Sequence, residues 1–268
     1  MIIDMSKSLN FEYSMSLDFS HPVNNHKFTL RMIPCSDDRQ QITTYHVNIE
    51  PLCELHNGQD TFGNSYIFGE IKEAHTRFSV TVNGVAIVST DKQITVDKSM
   101  IMLAPFRFPS QYTKPGPHIN EYFDIQKQRT YENTYDFCAR IMHQINNDMV
   151  YSKGVTDINT TAEQAFEKRQ GVCQDYAHIM LALCRMQNIP CRYVVGMMQG
   201  EGVSHAWVEI CANGIWYGMD PTNDKLVDDT YIKISHGRDY KDCIVNRGVF
   251  TGIGTQTQSV HVNVNFNE

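Results

Sequence analysis

The sequence predicts an α+β protein: an antiparallel β-sandwich comes first, and a core of helices packed on a second antiparallel sheet follows. Three observations carry this. Period-two alternation fills much of the first hundred residues, a proline-dense segment interrupts it near residue 105, and helix-period runs followed by a hairpin signature take over beyond. The boundaries that follow are 1–105 for the sandwich and 106–268 for the core.

The first element is NFEYSMSLDF, Asn10 to Phe19, in which Phe11, Tyr13, Met15, Leu17 and Phe19 share one face. Strict alternation of this kind marks a half-buried strand. Similar runs follow at Phe28-Leu30-Met32, Tyr45-Val47-Ile49 and Phe78-Val80-Val82, and Asn83-Gly84 offers a two-residue turn into Val85-Ile87. Nothing here converges polar groups in a catalytic pattern, so this region is expected to be structural or to recognise a partner. The segment LAPFRFPSQYTKPGP, Leu103 to Pro117, carries four of the nine prolines and sets the boundary.

Beyond it, Phe137, Ile141, Ile145 and Met149 fall on one helical face, and Thr161-Ala162-Glu163-Gln164 reads as a capping box opening a second helix that Gly171 is expected to close. A third helix follows, with Ala177, Met180, Leu181 and Cys184 at i, i+3, i+4 and i+7 and a stop at Asn188 and Pro190. Cys173 then falls in that helix's first turn. Unpaired N–H groups and the positive end of the helix dipole favour a thiolate there, and the same N–H groups can hold an oxyanion.

The stretch SHAWVEICANGIWYGMDPT reads as two strands joined by Asn213-Gly214. With those two residues as the loop, Cys211 faces Trp216, Glu209 faces Gly218 and Trp207 faces Asp220. His205 shares the face of Trp207, so His205 and Asp220 become diagonal neighbours, about 7 to 8 Å apart between backbones. A thiolate, a base and an acid that orients the base form the recurring arrangement of covalent acyl transfer. His178 and His236 are alternative bases, but no turn places an acid beside either.

These motifs resemble the transglutaminase-like superfamily, in particular its bacterial members described as cysteine proteases. The residues that carry the resemblance are GVCQDYAH around Cys173, HAWVE around His205 and DPTN around Asp220, in the family's order, with GRDY near the C-terminus as a further match. The resemblance implies a papain-like core with Cys173 as nucleophile, His205 as general base and then acid, and Asp220 as orienting carboxylate. It also implies that the preceding β-rich region is the sandwich such proteins carry. Tyr151, in YSKGVT, becomes a candidate wall or oxyanion donor by the same resemblance. Gln174 is a candidate lining residue, and Trp207 either shields a thioester or packs the sheet.

The implied activity is a cysteine hydrolase acting on an amide through an acyl-enzyme, with transfer of the acyl group to an amine and a non-catalytic binding module as alternatives. The expected partner is a protein or peptide substrate. A net charge of -7 without a basic cluster argues against nucleic acid, and no run approaches the roughly 18 to 20 apolar residues that span a bilayer. No metal or cofactor is expected, since CxxC pairs and an EF-hand loop are missing and Asp228-Asp229 is too little to hold an ion. The opening residues lack a basic segment followed by an apolar stretch, so a cytoplasmic location is expected. Cys138, Cys184, Cys191, Cys211 and Cys243 read as packing cysteines, and Arg238 with Asp239 as a structural ion pair.

Overall fold

Alternation of apolar and polar side chains runs much further along the N-terminal segment than its first ten residues. The computed structural model describes residues 6–95, 103–127 and 132–267, so the first five residues of the opening stretch lie outside it. Strand β1 spans Ser6–Leu30 as one 25-residue element. It absorbs the Phe28-Leu30 run as well. With β2 (Gln40–Glu50), β3 (Leu55–Gln59), β4 (Ser65–Ile71) and β5 (His75–Ser89) it forms most of a curled antiparallel sheet. The pairing of β1 with β5 shifts between Asp18 and Val23, and Asn25 takes a positive φ of 47° just beyond. Past this bend β1 pairs with β4 instead, so a single strand serves both layers.

Asn83-Gly84 is not a turn. Strand β5 runs straight through it, with Gly84 opposite Phe11 on one side and Tyr45 on the other. A Cβ on Gly84 would lie 2.2 Å from the Thr44 carbonyl oxygen, so the glycine permits close backbone approach beside the bulge in β2. Continued burial at Val80, Val82, Ala86 and Val88 shows one face held in phase across the pair.

After the short β6 (Ile94–Thr95) the proline-rich segment leads at its last residue into a helix the sequence reading missed, α1 (Pro117–Gln126), with proline in its first turn. Its N–H groups at Gly116, His118 and Ile119 are capped by the Glu163 carboxylate from a neighbouring helix. Helix α2 spans Thr134–Asp148 and buries Phe137, Ile141 and Ile145. Two-residue strands β7 (Val150–Tyr151) and β8 (Gln170–Gly171) pair in parallel on either side of α3 (Ala162–Lys168). The capping box of Thr161 and Gln164 is present, but α3 ends on Arg169 in the left-handed region, two residues before Gly171. Helix α4 (Cys173–Met186) is the core element, buried at every residue from Asp175 to Arg185.

Against it packs a six-stranded antiparallel sheet built mainly from β9 (Cys191–Met198), β11 (His205–Ala212), β12 (Ile215–Asp220) and β14 (Tyr231–Gly237), with β13 (Lys225–Leu226) and β6 pairing β12. Ala206, Val208 and Ile210 face the helices. Met197, Ile232 and Ile234 join the sandwich core instead. The face away from Val208 and Ile232 carries a buried ionic cluster: Glu209 accepts from Arg192 at 2.5 Å and from Lys233 at 3.1 Å, and Lys233 also pairs with Asp37.

The chain then returns. Strands β15 (Asn246–Thr251) and β16 (Gln256–Phe266), placed with the core in the sequence reading, pair with β1, one in each layer, and β10 (Gly200–Gly202) adds to β16. Pairing over eleven positions from Leu9–Phe266 to Phe19–Gln256 buries Val262 and Val264 in the sandwich. Nothing local in 246–266 distinguishes a strand bound for a partner two hundred residues away. Among the described residues no helix is long and apolar enough to cross a membrane.

This interlacing predicts that a 106–268 fragment, which carries β15 and β16 without β1, will not fold as a soluble core. Extending it to include residues 6–95 should restore cooperative unfolding and protease resistance, read by circular dichroism and limited trypsin digestion.

Candidate active site

The site is assembled where α4 begins and where β11 and β12 meet. Residues 170–175 fold locally for steric reasons: a Cβ on Gly171 would lie 2.5 Å from Asp175 Oδ2, so only glycine leaves room for the Asp175 carboxylate behind it. That carboxylate accepts from the Val172 N–H and the Thr156 hydroxyl, both at 2.7 Å, and so caps the helix from its third residue. Burial pushes the Asp175 carboxyl up, against the pull of these hydrogen bonds. Cys173 is the first helical residue and is half-buried, while Cys138, Cys184, Cys191, Cys211 and Cys243 are buried.

The β11–β12 register is the one the Asn213-Gly214 turn predicts, with φ of 53° and 81° at its two residues and Cys211 opposite Trp216, Glu209 opposite Gly218 and Val208 opposite Met219. His205 Nε2 lies 2.7 Å from Asp220 Oδ2. That leaves Nδ1 for the Cys173 sulfur, which is within the imidazole's hydrogen-bonding reach. Asp220 is fully buried and accepts also from the Tyr231 hydroxyl at 2.8 Å and Asn223 Nδ2 at 2.7 Å, while its second oxygen takes the N–H groups of Thr222 and Asn223. Burial pushes this carboxyl up, but the donated hydrogen bonds, that of His205 first, hold it below the ordinary carboxylate range. Burial pushes the His205 imidazole down, and Asp220 and Cys173 together more than reverse this, to about 9. The arrangement therefore keeps an imidazolium beside a sulfur at neutral pH.

The other candidates divide. Tyr151 stands on β7, paired with Gly171, and is half exposed. Burial first and the nearby Cys173 second push its phenol up, which keeps it a proton donor. The Gln174 amide turns toward the Ile158 carbonyl at 3.5 Å. Trp207 is buried behind the imidazole, its ring stacked on His205 at 6.4 Å and edge-on to Tyr231 at 5.3 Å. It backs the imidazole and packs the sheet.

His178 is buried, accepts from the Tyr240 N–H and stacks on Tyr112, with burial pushing it down to about 3. His236, also pushed down by burial and then by Arg192, to about 2, sits by the ionic cluster. Arg238 pairs with Asp242 and not with Asp239, because the chain turns between them. Asp239 instead accepts from the Lys241 N–H to cap that turn. Tyr231 and Asn223 were missed from sequence; Asn223 closes the DPTN turn back onto Asp220, and its spacing was the available signal. Among the described residues no group of three or more His, Cys, Asp or Glu forms a metal site.

Residues 124–221 match the family model described as transglutaminase-like superfamily, and residues 9–86 match the bacterial transglutaminase-like N-terminal region. Residues 124–221 thus carry a transglutaminase-like core. Its fold is one that generally carries cysteine-based catalysis. An uncharacterized protein of Mycobacterium leprae is 28% identical over 254 residues, covering 87% of this chain and 90% of the relative. A second, from Mycobacterium bovis, is 26% identical over 250 residues, covering 81% and 79%. A crystal structure from Cytophaga hutchinsonii, named "Putative Cysteine Protease", superposes with a TM-score of 0.79 at 23% identity over 98% of this chain and 91% of that one. At that identity the likeness speaks for the fold.

The raised His205 value has a direct test. Because its folded value of about 9 lies above the 6.5 of a free imidazole, the stabilisation is fully present below pH 6.5 and is lost as pH rises toward 9. Asp220→Asn should move the His205 titration, followed by NMR, down to or below 6.5 and flatten the fall in unfolding free energy between pH 6.5 and 9. An unmoved titration would mean that Asp220 does not hold the imidazolium.

Proposed function

We propose that this protein is a cysteine hydrolase that cleaves an amide bond, of the peptide or glutamine side-chain type, in a peptide or protein. The observation that carries the reading is the contact order Cys173, His205, Asp220, with the sulfur at a helix N-terminus and the imidazole anchored by a fully buried carboxylate. In this reading Cys173 attacks as a thiolate and forms a bond to the carbonyl carbon. The oxyanion is met by the unpaired N–H groups of the first turn of α4 and by the Tyr151 phenol. His205, as imidazolium, protonates the leaving nitrogen as the C–N bond breaks, leaving a thioester. Neutral His205 then takes a proton from water, whose oxygen attacks the thioester; the acid departs and the Cys173 thiolate is regenerated with His205 protonated.

Hydrolysis and transfer to an amine share this thioester and differ only in the second nucleophile. Offering a glutamine peptide with and without a primary amine separates them. Release of ammonia without amine incorporation is the expected result, and incorporation of the amine would assign transfer instead.

Two outcomes test the assignment of roles. Iodoacetamide should label Cys173 fastest of the eight thiols near neutral pH, and Cys173→Ser should abolish turnover; labelling no faster than that of a denatured cysteine would end the catalytic reading. Tyr151→Phe should lower kcat on the order of tenfold to a hundredfold with a smaller change in KM, as expected for a donor that acts on the developing oxyanion.

A further inference from the structure

The two oxygens of Asp220 are used unequally. Oδ1 accepts the N–H groups of Thr222 and Asn223, at 2.9 and 3.2 Å. Oδ2 accepts from His205 Nε2 at 2.7 Å, from Asn223 Nδ2 at 2.7 Å and from the Tyr231 hydroxyl at 2.8 Å. Three donors therefore share the oxygen that steadies the imidazole. Donors on one oxygen draw on the same negative charge, so each weakens the pull of that oxygen on the others. Thr222 and Asn223 belong to the turn that Asp220 itself opens. Tyr231 does not: it reaches Asp220 from another strand, β14.

Its phenol is fixed there. Tyr231 pairs with Met198 of β9, is 2% exposed, and packs edge-on against Trp207 with its ring centroid 6.3 Å from that of His205. Burial first and Asp220 second push the phenol up, so it remains a donor. The Lys225 ammonium, 5.1 Å from the ring centroid, favours that donation by withdrawing charge from the ring. The other charged or titratable groups nearby are few. Cys173 from α4 and Asp220 from β12 act on His205, and β9 places only Gly196 opposite it. Asp228 acts on Tyr231 and pairs with Lys225 at 3.1 Å, while Lys233, two residues along β14, is turned to Glu209 and Asp37. The Asn223 side chain differs from Tyr231 in being exposed, so water can take its place.

We propose that Tyr231 is a positioning residue that moderates His205: by donating to Asp220 Oδ2 it weakens the carboxylate's pull on the imidazolium, so that the imidazole can release its proton and act on water near neutral pH. This rests on the reading of Cys173 as the nucleophile and concerns the second half of that reaction. In the free protein the sulfur and the carboxylate together hold the imidazolium, which suits protonation of a leaving nitrogen. Once Cys173 is a thioester its charge is gone, and Asp220 decides how far His205 is neutral. Water then loses a proton to Nδ1, its oxygen bonds to the carbonyl carbon, and the C–S bond breaks to return the thiolate. A buried carboxylate with His205 as its only side-chain donor would keep the imidazole protonated and the thioester standing.

The test uses the full chain. In Tyr231→Phe, which keeps the ring, the His205 titration followed by NMR should rise by about half a pH unit or more. A substitution that merely loosened β14 would let the imidazole drift from Asp220 and lower the titration, as Asp220→Asn does. Asn223→Ala should raise it less, because water replaces the exposed amide. Difluorotyrosine introduced at position 231, a more acidic phenol that keeps both ring and donor, should lower it, and this arm stands even where the phenylalanine variant fails to fold. With p-nitrophenyl acetate as the probe, the burst reads formation of the acetyl thioester and the slow phase its hydrolysis. Tyr231→Phe should shift the pH midpoint of hydrolysis upward with the titration and slow hydrolysis near neutral pH about threefold more than it slows the burst. A His205 titration that stays or falls in Tyr231→Phe, or that rises with difluorotyrosine, overturns the proposal, and so does a raised titration with an unmoved hydrolysis midpoint. Titrations that shift as described in a protein that gives no burst would leave the moderation of His205 standing and remove the catalytic reading alone.

Discussion

The buried carboxylate of Asp220 is the constraint on which the site depends. An ionised carboxyl removed from water is costly unless every lone pair is met, and the cost reaches several kcal/mol per ion even after relaxation. Here five donors meet it: the imidazole, a phenol, an amide side chain and two backbone N–H groups. The two N–H groups come from the turn that begins at Pro221, and that turn is held from the opposite side by Asn146 of α2, whose amide donates to the Pro221 and Thr222 carbonyls. His205 cannot swing away without leaving an oxygen of Asp220 short of a donor. The imidazole is oriented by the same hydrogen bonds that make the burial tolerable.

The sulfur is placed by a different device. Helix α4 is enclosed along almost its whole length, so its axis is set by packing on both sides. Apart from Met186 at its last residue, only its first turn reaches half-exposure. Each residue of GVCQD contributes to that: Gly171 clears space, Val172 supplies the N-cap backbone, Cys173 opens the helix, Gln174 reaches to the 150–158 loop and Asp175 closes the cap. Arg185 at the other end fixes the helix to the proline-rich segment and to β9, donating to the carbonyls of Phe106 and Cys191 and to Thr113. A rigid helix with an accessible first turn holds the Cys173 sulfur in a single geometry without a dedicated loop.

What the sequence made legible was local. The two Asn-Gly pairs show the limit: Asn213-Gly214 is a turn, and it alone set the register that brings His205 to Asp220, whereas Asn83-Gly84 lies in a straight strand. The difference is tertiary. Strand β1 needs a partner of matching length, and that requirement carries β5 through a dipeptide that would otherwise turn. The helix faces at Phe137 and Ala177 could be read because amphipathic or apolar periodicity is a short-range signal. Strands β15 and β16 could not be assigned, since their partner is β1 at the other end of the chain. Buried Arg192, Glu209 and Lys233 were equally silent, because a charged residue in a strand looks solvent-facing until its counter-ions are known.

The return of the chain into the sandwich bears on the site itself. Residues 199–204 lead directly into His205, and free of the sandwich they would be an exposed connection of low order. Instead β10 pairs with β16, and the Tyr13 hydroxyl of β1, its phenol pushed up to about 12 by burial, hydrogen-bonds Ser204, the residue next to His205. Met197 before this connection and Ile232 and Ile234 on β14 pack into the sandwich core, and Tyr231 on the same strand donates to Asp220. Loosening these contacts with the sandwich would therefore loosen the approach to the imidazole and the strand that steadies Asp220. The N-terminal region is in this sense part of the support of the imidazole.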